Sequence, residues 1–161
     1  MHRSLREMKR EIYRPLIQKL RNAFGDRLRT VVLFGSRARG ETEAQRDHDV
    51  FLVVEGLPSS PLTRQKEIRN AIWDIPLRIN TISKTPGEVD RNLTPLLLEI
   101  CVDGVCLFGK YYFEPYRKKA LEALKQSGLK RKRVGKEWYW MFEKVPKKEW
   151  ELSWEGFREL S

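Results

Sequence analysis

The chain has 161 residues, 40% hydrophobic and 34% charged, with 32 Lys and Arg against 22 Asp and Glu and a formal charge of +10. That balance excludes a disordered tail and fits one folded domain, or one domain with an appendage. Two cysteines, two histidines, no apolar run near the ~20 residues of a membrane span and a charge-interrupted N-terminus predict a cytoplasmic protein without disulfide framework, zinc cluster, membrane insertion or export signal.

From Arg3 to Phe24 the residues Leu5, Met8, Ile12, Leu16, Leu20 and Phe24 recur at helical spacing, and Gly25 is placed to end the helix. Thr30-Val31-Val32-Leu33-Phe34, closed by Gly35-Ser36, reads as a buried strand. After the polar stretch RARGETEAQR, Asp47 to Val54 reads as a second strand. Ser60-Pro61 opens a helix with Leu62, Ile68, Ala71, Ile72 and Ile75 on its inner face. Leu77 to Ile82 alternates as a half-buried strand does.

Thr85 with Glu88 forms a capping box for a helix that gives way near Pro95 to an apolar one through Leu96 to Cys101. Asp103-Gly104 turns into a short strand from Val105 to Phe108, and a helix runs from about Tyr112 to Gln126. Cys101 and Cys106 read as small core residues. The expected division is a core over 1–110 and a helical, basic, Trp-rich extension over 111–161. Four of the five Trp lie there, at 138, 140, 150 and 154, among 14 basic and 8 acidic groups from residue 110 onward. So much Trp predicts packing against the core or a partner, with the core favoured.

The chemistry concentrates between Val31 and Val54. Strand alternation points Asp47 and Asp49 to one face and His48 to the other, so His48 reads as a structural or surface histidine and not a catalyst. Two adjacent carboxylates raise each other's proton affinity unless a cation lies between them, and hard oxygen ligands suit Mg²⁺, with substrate phosphates completing its shell. Gly35 lets backbone approach a bulky anion, and exposed N–H groups with the Ser36 hydroxyl can hold phosphate oxygens. Arg39, and more weakly Arg37, add cationic donors. Together these predict a Mg²⁺-bound nucleoside triphosphate.

The run FGSRARGETEAQRDHDVFLVV resembles the signature of the DNA polymerase β-like nucleotidyltransferase superfamily, in its minimal nucleotidyltransferase (MNT) branch. The likeness covers Gly35-Ser36, the ten-residue gap, Asp47-x-Asp49 and both flanking strands. It implies an α+β fold: a short mixed sheet flanked by helices. It also implies that Asp47 and Asp49 hold the metal and serve catalysis, that Gly35, Ser36 and Arg39 contact the triphosphate, and that a nucleoside monophosphate passes to a hydroxyl with release of pyrophosphate. Members usually carry a third carboxylate on a neighbouring strand. The corresponding stretch here, Leu77 to Ile82, has none; Arg78 and Asn80 share the relevant face, and Asp74 precedes it.

Proteins similar to this one often pair with a HEPN-type toxin ribonuclease and silence it by adenylylation, which makes the chain an MNT antitoxin in the first expectation. The missing carboxylate supports a second, a degenerate module that binds nucleotide or partner without turnover. The basic tail supports a third, nucleotide addition to RNA or a small molecule.

Overall fold

The computed structural model describes residues 10–41 and 47–160. In chain order the elements are α1 (Arg14–Phe24), a 3-10 turn (Gly25–Arg27), β1 (Leu28–Phe34), β2 (His48–Val54), α2 (Pro61–Ile72), β3 (Ile79–Lys84), α3 (Pro86–Arg91), α4 (Pro95–Asp103), β4 (Val105–Phe108) and α5 (Lys110–Ser127). Four further strands complete the chain: β5 (Leu129–Val134), β6 (Glu137–Phe142), β7 (Trp150–Ser153) and β8 (Gly156–Glu159). The main sheet has the order β3-β2-β1-β4, with β1 antiparallel to both β2 and β4 and β2 parallel to β3. This is the expected α+β architecture of a short mixed sheet flanked by helices.

β1 and β2 are apolar almost throughout because both faces of the sheet are covered. Val31, Leu33, Val50, Leu52 and Val54 face one cluster, with Leu16, Leu20 and Phe24 of α1 and Ile68 of α2. The alternate residues Val32, Phe34, Phe51 and Val53 face the other, with Leu97, Ile100 and Cys101 of α4 and Phe113, Ala120 and Ala123 of α5. Thr85 and Glu88 form the expected capping box at α3. Both cysteines are free, and burial pushes the Cys101 thiol up to about 12, so it is an inert core residue. Among the described residues no helix is long and apolar enough to cross a membrane.

Two expectations are corrected. The first helix does not run unbroken to Phe24: the backbone turns at Ile12 and Tyr13 and α1 starts at Arg14. Pro15 lacks the N–H that would continue the ladder, and its ring crowds the carbonyl four residues earlier. The part of that helix before Arg10 lies outside the described residues. The segment beyond Ser127 is not helical but forms two antiparallel hairpins, β5–β6 and β7–β8. Its aromatics recur with period two: Trp138, Trp140 and Phe142 are half-buried while Tyr139 and Met141 are exposed. Trp154 is 7% exposed, sits in the cluster beneath the sheet, and donates its indole N–H to the Val89 carbonyl at 2.7 Å.

Candidate active site

The antiparallel register of β1 and β2 sets Phe34 opposite Asp49, so the turn leaving β1 lies against the start of β2. Gly35 adopts φ +74, and a Cβ built on it would stand 2.5 Å from Asp49 Oδ2. Only glycine permits that approach, in conformation and in space. Ser36 comes next, buried, and its carbonyl accepts the Glu41 N–H at 2.9 Å. The Arg39 N–H donates to the Gly35 carbonyl at 3.2 Å and the Gly40 N–H to the Arg37 carbonyl at 3.3 Å, which closes the turn. Residues 42–46 of the loop beyond it lie outside the described residues.

The parallel register of β2 and β3 sets Asp49 beside Asn80, whose Nδ2–H donates to Asp49 Oδ1 at 3.2 Å. Arg78, two residues earlier on the same face, forms an ion pair with Asp47, Nε to Oδ1 at 3.0 Å. Arg78 and Asn80 therefore stand beside the two acids, on the stretch where the resemblance leads one to expect a third carboxylate. Asp74 does not replace it, being held at 2.8 Å by Lys19 of α1. Asp47 Oδ1 is shielded from solvent and, among the described residues, receives no hydrogen bond, its contact being the ion pair with Arg78.

Among the described residues no three His, Cys, Asp or Glu side chains gather as a metal site. Even so, the donors fit a hard divalent cation that draws the rest of its shell from a phosphate substrate. Asp47 stands against Arg78 and Asp49 against Asn80, Asp47 Oδ1 has no hydrogen-bond donor among the described residues, and the side chain of the neighbouring cation, Arg78, is 75% exposed and able to swing away.

His48 points to the opposite face, as alternation requires. Its ring is buried edge-on to Tyr13, and Nδ1 shares a hydrogen bond of 2.7 Å with the Tyr13 hydroxyl. Burial, followed by the charge of Arg37, holds the imidazole below its ordinary 6.5, with Asp47 and Asp49 opposing. The neutral ring is favoured by the fold, so its stabilisation is complete above about pH 6.5 and is lost as pH falls through the depressed folded value. Thermal melts from about pH 7 down to about pH 5 are expected to show a falling Tm, and His48→Gln to flatten that slope. An equally steep slope in the variant would assign the acid sensitivity to other groups.

The structure thus brings Gly35 against Asp49, with Ser36 next in the turn, and pairs Asp47, just before β2, with Arg78. Arg39 is placed differently: its guanidinium is held by Glu41, Glu99 and Asp103. Those acids come from separated parts of the chain, and no sequence spacing announces them. The contacts of Arg78 and Asn80 were legible in part, from their shared face alone.

A Gly-Ser turn against paired acids, on a mixed sheet between helices, defines a nucleotidyltransferase fold. Residues 16–93 match the family model described as "Nucleotidyltransferase domain". That stretch runs from within α1 through α3 and holds the turn and both acids, and with the relative described next it supports a nucleotidyltransferase enzyme. MJ1305 of Methanocaldococcus jannaschii, assigned as a protein adenylyltransferase, is 29% identical over 112 residues, covering 66% of this chain and 76% of that protein. Among solved structures, a toxin–antitoxin with AMP-PNP has a TM-score of 0.50 at 17% identity, over 68% of this chain and 84% of the other. A mutant MntA–HpeT toxin–antitoxin has a TM-score of 0.51 at 15% identity, over 69% and 85%. These two likenesses concern the fold.

Proposed function

We propose that this chain transfers AMP from Mg-bound ATP to a hydroxyl of a partner protein, as the MNT antitoxin of a HEPN/MNT pair. The observation that supports the reading is how closely the turn at Gly35 lies to the Asp49 carboxylate, too closely for a Cβ at that position. The assignment of MJ1305 as a protein adenylyltransferase supports the choice of a protein acceptor. The toxin–antitoxin neighbours, one of them carrying AMP-PNP, support the choice of nucleotide and partner.

In this reading the N–H groups of the turn and the Ser36 hydroxyl hold the triphosphate, and Asp47 and Asp49 hold Mg²⁺ once Arg78 swings aside. When bound, the ion supplies Lewis-acid polarisation of the phosphoryl oxygens and offsets their charge. The acceptor oxygen bonds to the α-phosphorus, the bond from that phosphorus to the bridging oxygen breaks, and pyrophosphate leaves. Asn80 takes no proton, so the proton of the acceptor hydroxyl passes to a group that the partner supplies. Arg39, whose described guanidinium contacts are to carboxylates, acts by holding the turn.

Incubating the chain with Mg-ATP and a cognate HEPN-type toxin is expected to add adenylate units to that partner, read by intact-mass spectrometry. An unchanged partner mass under saturating ATP would overturn the proposal.

A further inference from the structure

We infer that the β5–β6 hairpin braces the nucleotide turn, making Arg131, Asp103 and Trp138 positioning residues for transfer; this rests on the reading of Gly35, Ser36, Asp47 and Asp49 as the nucleotide site. None of the three lies within the stretch 16–93 that matches the family model.

Asp103, at the end of α4, is the hub. Its carboxylate is 9% exposed and faces two guanidiniums. Arg131 of β5 grips it with both terminal nitrogens, Nη2 donating to Oδ1 at 2.7 Å and Nη1 to Oδ2. Arg39 of the turn approaches Oδ2 at 3.5 Å and donates to Glu99 Oε1 at 3.1 Å. The remaining Arg39 nitrogens, Nε and Nη2, contact the two Glu41 oxygens at 3.4 Å each. Glu41 is held in turn by the hairpin: the Trp138 indole N–H donates to Oε1 at 3.2 Å, and Arg133 forms an ion pair at 3.8 Å. The Arg131 guanidinium lies 4.6 Å from the centre of the Trp138 ring, which joins the two grips.

Three guanidiniums therefore face three carboxylates, and the group closes on itself. Arg39 and Arg131 are only 16% and 17% exposed, so water screens these pairs weakly and losing one member strands its partner's charge. Arg39 and Glu41 pass the constraint to the turn through their backbone bonds to the carbonyls of Gly35 and Ser36. A turn that receives an anion through backbone N–H groups works best when those groups are oriented before the anion arrives. The hairpin supplies that orientation from far along the chain.

The test compares Arg131→Ala, Arg131→Lys and the outward-facing control Lys132→Ala in the full chain, by amide hydrogen exchange over residues 35–41 and by the KM for Mg-ATP. Arg131→Ala is expected to speed exchange at Arg39 and Glu41 and to raise KM about 10-fold or more, the range for groups supporting a ligand shell, with a smaller change in kcat. Arg131→Lys keeps the charge without the fork and should recover part of both effects; Lys132→Ala should match wild type. A folded Arg131→Ala with wild-type exchange and KM would overturn the brace. Should that variant not fold, Trp138→Phe keeps an aromatic ring, removes the N–H to Glu41, and is judged by the same two readouts. Exchange is read without nucleotide, so faster exchange in a chain whose wild type never turns over ATP would uphold the brace and remove the nucleotide assignment instead.

Discussion

Replacing both Asp47 and Asp49 by alanine is expected to abolish pyrophosphate release and partner modification, by about 10³-fold or more, while leaving the fold intact. A loss of that size is ~4 kcal/mol of barrier, within the several kcal/mol that a bound ion contributes to phosphoryl chemistry. The fold has little to lose. Asp47 has an ion pair with Arg78, whose side chain is 75% exposed, and such pairs contribute ~0–1 kcal/mol. Asp49 gives up one hydrogen bond to the exposed Asn80 amide. Removing two like charges that stand side by side also relieves their repulsion. The expected pair of results is an unchanged or raised Tm with no turnover. A variant that lost its fold would make the acids structural and end their assignment as metal ligands.

Gly35→Ala is expected to damage the site from the other side. The backbone at φ +74 costs a residue with Cβ ~1–2 kcal/mol, which a domain of this size tolerates. The new methyl would stand 2.5 Å from Asp49 Oδ2, and the carboxylate, being the far end of a side chain, must turn away. Turning breaks the Asn80 bond and carries the oxygen off the face it shares with Asp47. Displacement of a positioning group by ~1 Å costs about 10²-fold in rate, so kcat should fall at least that far in a protein that still folds. Isothermal titration with Mg-ATP and a steady-state assay check the prediction together. Wild-type turnover in this variant would separate the turn from the acids and sink the single-site reading.

The strand pair at the site was legible because its signals are local. Val31 to Phe34 and Val50 to Val54 are apolar runs bounded by turn residues, and Gly35-Ser36 and Asp47-x-Asp49 stand at their facing ends. The expectation that His48 turns away from its neighbours came from alternation, and its ring is buried against Tyr13. The hairpins after Ser127 were also written locally, in the period-two aromatics of β6 and in Gly135 between the strands. Composition hid that pattern: basic and aromatic residues in bulk suggested a helical extension, while their spacing carried a sheet.

Sequence by itself determined the features that depend on neighbours along the chain: the main strands, the capping box, the glycine turn and the like-facing acids. Tertiary structure alone decided what Arg39, Arg78, Asn80 and Arg131 do. The parallel register of β2 and β3 sets Asn80 beside Asp49, and the return of the β5–β6 hairpin brings Arg131 to Asp103 and Trp138 to Glu41. Charges act through space and not along the chain, so an arginine written beside a phosphate-binding motif takes its role from whichever carboxylates the fold brings within reach.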